Sequence, residues 1–129
     1  MSVRPVLVVD DDPEIREMTA LLLSGGGHAV ETAGSGEEAL ALARAVGPAV
    51  ILLDINMPGM DGWEVLRLLK EDPATASIPV IMFSIRFELR EKLHALQKGA
   101  ADYVTKPFDV EGLLERIARF VGAGSGERR

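Results

Sequence analysis

The chain has 129 residues, 47% hydrophobic and 26% charged, which suits one globular domain with one core and excludes a disordered chain. Cysteine is absent, so there is no disulfide framework and no thiolate metal site. The net charge is −6, and the basic residues are scattered apart from the doublet Arg128-Arg129, so direct nucleic-acid binding is not expected.

Read from the N-terminus, no long apolar stretch follows Arg4, and no apolar run nears the roughly 18 residues of a membrane span. A cytoplasmic chain without signal peptide or membrane contact is the expectation. Short β-branched runs then alternate with helical segments. Val6 to Val9 reads as a strand. The helix after it has Asp12 as N-cap, Pro13 in first position, Ile15, Met18 and Leu22 on one face, and Gly25-Gly26-Gly27 as its stop. His28 to Ala33 is a weaker strand. Ser35 caps a helix from Glu37 to Val46, and Gly47-Pro48 ends it.

Val50-Ile51-Leu52-Leu53 is apolar throughout, the pattern of a parallel strand buried on both faces. After the loop Asn56 to Gly59 comes a helix from about Asp61 to Glu71 with Val65, Leu66 and Leu69 inward and Trp63 as partial core. Pro79 to Phe83 is a fourth strand. The fourth helix carries Leu89, Leu93 and Leu96 as its apolar residues, and Gly99 closes it. Asp102 to Thr105 is a fifth strand, and the last helix holds Val110, Leu113, Leu114, Ile117 and Val121 at helical spacing. Residues 1–121 form the domain. The segment 122–129 has the composition of a flexible tail or linker.

Five strand–helix units imply an α/β fold, a doubly wound parallel sheet covered by five helices, whose ligand site lies at the carboxyl ends of the strands. Asp10, Asp11 and Asp12 follow strand one. Asp54 closes strand three, Ser84 closes strand four and Lys106 follows strand five. Singly, each has a plain reading as cap, turn or surface residue. Asp12-Pro13 already meets the capping need, however, and Asp54 follows an interior run where an idle charge is expensive. Converging carboxylates without Cys or His suit a hard cation, Mg²⁺ or Mn²⁺. Asp54 as nucleophile toward phosphorus, Asp10 and Asp11 as metal anchors, and the Ser84 hydroxyl and Lys106 ammonium as partners of phosphoryl oxygens make a complete set. His28 and His94 lack a second histidine at ligand spacing and are read as surface residues.

From Val6 to Val121 the chain resembles the receiver domains of bacterial response regulators. The likeness rests on Val8-Val9-Asp10-Asp11, on Leu53-Asp54-Ile55-Asn56-Met57-Pro58-Gly59-Met60-Asp61-Gly62, on Ser84 and on Tyr103-Val104-Thr105-Lys106-Pro107-Phe108. It implies a flavodoxin-like fold with strand order 2-1-3-4-5 and a two-component signalling role without turnover of an external substrate. It also implies that Asp54 takes a phosphoryl group from a histidine kinase or phosphotransfer protein. Mg²⁺ would be held by Asp11, Asp54 and the Asn56 backbone carbonyl, with Asp10 supporting, and the Lys106-Pro107 bond would be cis. Ser84 and Tyr103 would be paired switch residues. The face around the fourth helix, fifth strand and fifth helix would then meet a downstream protein or a second copy of the chain.

One residue departs from the family pattern. Ile85 stands after the switch hydroxyl, where a small residue borders the phosphorylation pocket. A narrower entrance follows, and Ile85→Ala should speed labelling by acetyl phosphate. Arg86 is either a solvated arginine or a group that swings toward Asn56 and the phosphoryl oxygens. Ile85 and Phe87 together offer an apolar contact patch. Two rival functions remain at this point. An aspartyl-phosphate phosphohydrolase of the haloacid dehalogenase kind needs a second acid two residues after its nucleophile, where this chain has Asn56, and a cap insertion that is missing. A receiver-like module that binds partners without being phosphorylated has the intact acids, Ser84 and Lys106 against it.

Overall fold

A run of four or five apolar residues is stable as a strand only if both faces of its pleat are covered, and the runs Val6 to Val9, Val50 to Leu53 and Val80 to Phe83 meet that demand. The computed structural model describes residues 4–84, 89–105 and 109–125. In order they form β1 (Val6–Val9), α1 (Pro13–Gly25), β2 (Val30–Ala33), α2 (Gly36–Val46), β3 (Val50–Asp54), α3 (Gly62–Glu71), β4 (Val80–Ser84), α4 (Leu89–Gln97), β5 (Asp102–Thr105) and α5 (Val110–Ser125). The sheet is parallel throughout, with strand order β2-β1-β3-β4-β5. This is the flavodoxin-like, doubly wound arrangement expected from the sequence.

Alternation along the strands divides the core in two. Leu7, Val9, Ile51, Leu53, Val80 and Met82 face α2, α3 and α4, meeting Ala39, Ala43, Val65, Leu66, Leu69 and Ala95. Val6, Val8, Val50, Leu52, Ile81 and Phe83 face α1 and α5, meeting Leu23, Leu113 and Ile117. Every residue of β1, β3 and β4 is buried, Asp54 and Ser84 included.

One helix turns differently from expectation, and a second buries a small residue in preference to its leucines Leu93 and Leu96. On α1 the buried residues are Thr19 and Leu23, and Met18 is 51% exposed. Ile15 and Leu22 are half-buried beside them, so the inward stripe is 15, 19, 22 and 23, the true helical spacing, and Met18 lies off it. Among the described side chains of α4 the one against the sheet is Ala95, while Leu93 and Leu96 are 51% and 41% exposed. Residues 93, 95 and 96 cannot share one helical face, and the small side chain takes the inward place. At the other end of the chain, α5 keeps a helical backbone to Ser125, four residues into the segment whose composition reads as linker.

Candidate functional site

The carboxyl edge of the sheet collects the chemistry because three connections begin there with polar residues. The Asp10 N–H donates to the Ala33 carbonyl at 3.1 Å, which carries the β1–β2 ladder one residue past β1. The Asp10 side chain, 1% exposed, then accepts from the Asp12 N–H at 3.0 Å. Asp12 in turn accepts from the Glu14 N–H at 3.0 Å and caps α1. Capping therefore belongs to Asp12, and Asp11 is left exposed at the rim.

Asp54 is the last residue of β3 and only 4% exposed. Its Oδ1 accepts from the Asn56 N–H at 3.2 Å. The Ile55 N–H donates to the Phe83 carbonyl at 3.0 Å, so the strand ends in a hydrogen-bonded frame. Behind it, the first turn of α3 lies directly on the backbone. The Gly62 N–H donates to the Ile55 carbonyl at 2.9 Å, and a Cβ at Gly62 would come within 2.5 Å of the Asp54 carbonyl oxygen. Only glycine permits that approach. Asp61, capping α3 through the Glu64 N–H at 3.0 Å, holds the turn in place.

These frames bring one carboxylate oxygen each from Asp10, Asp11 and Asp54 within 4.8 Å of one another. At an effective dielectric near 20, two unit charges at that separation repel by about 3.5 kcal/mol. An all-oxygen donor set under this repulsion fits a small hard divalent cation, Mg²⁺ or Mn²⁺, and does not fit Zn²⁺.

Ser84 closes β4 and is 1% exposed. Its Oγ donates to the Asn56 Oδ1 at 3.5 Å, a long bond that links β4 to the loop after Asp54. Ser84 also pairs in register with Thr105, so the sheet brings the chain to this edge as far as residue 105. Tyr103, opposite Met82, is 4% exposed and packs in the α2–α3–α4 side of the core. Lys106, the Lys106-Pro107 bond, Ile85, Arg86 and Phe87 lie outside the described residues. The structure thus brings together Asp10, Asp11 and Asp54, with Asn56 and Ser84 joined to them.

Two contributors escaped the sequence reading. Gly62 was seen only as part of a motif, not as a point of backbone contact. Arg16 was not singled out, although its Nη1 donates to the Asp10 carbonyl at 2.8 Å. Three further residues of α3, Trp63, Arg67 and Lys70, make contacts away from the acids. The Trp63 ring meets the His94 ring edge-on, with centroids 4.6 Å apart, giving His94 a packing role. Hydrogen bonding from Arg67 holds the exposed Glu64 carboxyl below its usual range. Burial pushes the Lys70 ammonium down, while its Nζ donates to the Ala76 and Ile78 carbonyls at 3.0 and 3.1 Å.

Comparison with known proteins agrees with this geometry. The family described as response regulator receiver domain matches residues 6–118. Protein PilH of Pseudomonas aeruginosa is 42% identical over 113 residues, covering 87% of this chain and 93% of that protein. The DNA-binding dual master transcriptional regulator RpaA of Synechocystis is 39% identical over 112 residues, 87% of this chain but 46% of that protein. The chain thus spans about half the length of RpaA and of other regulators such as MtrA of Mycolicibacterium smegmatis, where the share is 48%. Among solved structures, the Vibrio cholerae chemotaxis protein CheY4 superposes with a TM-score of 0.85 at 34% identity, covering 92% of this chain and 99% of that one.

Proposed function

This chain belongs to the receiver domains of response regulators, and on that premise we propose that Asp54 accepts a phosphoryl group from a histidine kinase or phosphotransfer protein. The observation that carries the reading is the buried Asp54 carboxylate within 4.8 Å of Asp10 and Asp11 at the carboxyl edge of the sheet. A carboxylate oxygen of Asp54 attacks phosphorus. The new P–O bond forms as the P–N bond to the donor imidazole breaks, and the imidazole nitrogen keeps the electron pair. The Asn56 N–H and the Gly62 contact hold the nucleophile in one orientation, which lowers the entropic part of the barrier.

Asp11, Asp54 and the Asn56 backbone carbonyl would hold Mg²⁺, with Asp10 supporting through the loop it organises. When bound, the ion supplies positive charge to the equatorial phosphoryl oxygens. Lys106 takes the remaining phosphoryl oxygen in this reading. The chain acts as a phosphoacceptor, and loss of the group is attack by water at the same phosphorus, with no external substrate turned over.

The switch follows from charge. The phosphoryl group carries about −1.5 to −2 at neutral pH, in place of the carboxylate's single charge, beside a hydroxyl that makes a long bond to Asn56. Ser84 Oγ then turns from Asn56 to a phosphoryl oxygen, Tyr103 responds one strand away, and the α4–β5–α5 face changes for a downstream protein or a second copy. Near-complete reversal of a two-state population needs about 5.5 kcal/mol, within reach of a few charge-assisted bonds. The test is mass analysis after incubation with acetyl phosphate and Mg²⁺. One phosphoryl group should appear on the wild type and none on Asp54→Asn. Equal labelling of both chains would move the acceptor elsewhere.

A further inference from the structure

We propose that Arg16 is a positioning residue for the acid cluster, a clamp that sets the Asp10-Asp11 backbone where the two carboxylates can share a divalent cation with Asp54. The inference rests on the aspartate-site reading above and extends it to a residue outside the set of acids, hydroxyl and lysine.

Arg16 stands four residues after the N-cap of α1. A cation there opposes the helix dipole, so local helix energetics do not explain it. Its guanidinium turns back over the first turn, and Nη1 donates to the Asp10 backbone carbonyl at 2.8 Å. The same nitrogen also lies close over Gly34, on the connection after β2. A Cβ at Gly34 would lie 2.9 Å from Nη1 and 3.5 Å from Cζ. The Gly34 N–H is itself fixed by Glu38 Oε1 at 2.7 Å, and Glu38 belongs to the cap of α2. One planar group therefore joins two loops that leave adjacent strands, and the carbonyl it grips belongs to the first acid of the pair. Asp10 is thus held at its N–H by Ala33, at its carbonyl by Arg16 and at its carboxylate by the Asp12 N–H. The contact is with the main chain of Asp10, so Arg16 acts on where the carboxylates stand.

The alternative, that Arg16 serves only as a nearby charge, predicts the opposite sign. Removing a positive charge beside a cation site should tighten Mg²⁺. Removing a clamp should weaken it.

The experiment is calorimetric titration of the full chain with Mg²⁺ alone, beside thermal unfolding without metal. For Arg16→Met, the Mg²⁺ dissociation constant should rise by about tenfold, the scale of lost support behind metal ligands. Arg16→Lys keeps the charge but not the planar fork, and it should recover only part of that loss. Gly34→Ala supplies an independent test without changing any charge, at a glycine that needs no left-handed backbone. Its methyl displaces the guanidinium, and Mg²⁺ should weaken in the same direction. Should Arg16→Met not fold, Gly34→Ala and Arg16→Lys carry the test. Labelling by acetyl phosphate should need more Mg²⁺ for half-maximal rate and reach the wild-type rate at saturation.

Tighter Mg²⁺ in Arg16→Met, or unchanged affinity with only a lower melting temperature, overturns the clamp. If the wild type binds Mg²⁺ and Asp54→Asn weakens it while Arg16→Met and Gly34→Ala do not, the aspartate site stands and the clamp alone falls. Absence of Mg²⁺ binding by the wild type removes both.

Discussion

The helices that follow β3 and β4 occupy equivalent places in the fold, yet they are held very differently. α3 is capped by Asp61, presses Gly62 onto the Asp54 backbone and buries Val65, Leu66 and Leu69. Arg67 bridges Glu64 and Glu71 on its outer side. Among the described side chains of α4, the one in the core is Ala95, and Leu93 and Leu96 face outward. An alanine buries little apolar area, so the described side chains of α4 gain far less from their place than those of α3 do. Asp54 therefore stands against a fixed wall, and the described part of α4 rests more lightly on the sheet. A receiver needs that asymmetry: chemistry demands fixed atoms, and a response demands an element with little to lose by moving.

The largest effect that can break this comparison is at Leu66, fully buried on α3. Leu66→Ala should cost about 2–5 kcal/mol, read from urea unfolding. A loss below about 1 kcal/mol, the scale of a tolerated surface change, would show that α3 is not the anchored helix. Next comes Gly62→Ala. The added methyl meets backbone rather than a movable side chain, so a loss of about 1–3 kcal/mol is expected together with slower labelling of Asp54. Full stability with full labelling would mean that the turn retreats without disturbing the nucleophile.

The strong wall was far more legible in the sequence than the loose helix. Val50 to Leu53 reads as an interior strand, and Val65, Leu66 and Leu69 mark the inward face of the helix after it. The acid cluster was legible for the same reason, since strand ends in a doubly wound sheet converge and its members are short side chains whose position follows from the backbone. Pattern reading failed where apolar residues outnumber inward places. On α4, leucines look like core to a periodicity count, but among its described side chains the buried one is Ala95, and nothing local says so. Met18 on α1 is the same case. Arg16 was missed because its contact depends on two loops from different strands. The one local hint was a cation in the first turn of a helix, a departure from dipole preference of the kind that marks functional sites.

Metal addition sharpens the comparison at intermediate scale. An ion that binds only the folded chain stabilises it by about 1.4 kcal/mol at ten times its dissociation constant. Chelation should remove that increment from the wild type, and Asp11→Asn with Asp54→Asn should abolish it. In hydrogen exchange, the added protection should fall on the amides of Asp12 and Asn56, which donate to the acids, and not across α4. Protection spread evenly over α3 and α4 would mean that the two helices already move as one body.

The smallest expected effect is the sharpest test of the loose side. Leu93 and Leu96 look like core residues, and truncating core leucines would cost several kcal/mol each. Because both are exposed and outside the core, Leu93→Ala and Leu96→Ala should each change stability by about 0.5 kcal/mol or less, and the double variant by no more than their sum. Mg²⁺ affinity should be untouched, since neither residue reaches the acids. A loss above about 2 kcal/mol at either position would instead put these leucines inside, make α4 as firmly seated as α3, and leave the receiver without its light helix.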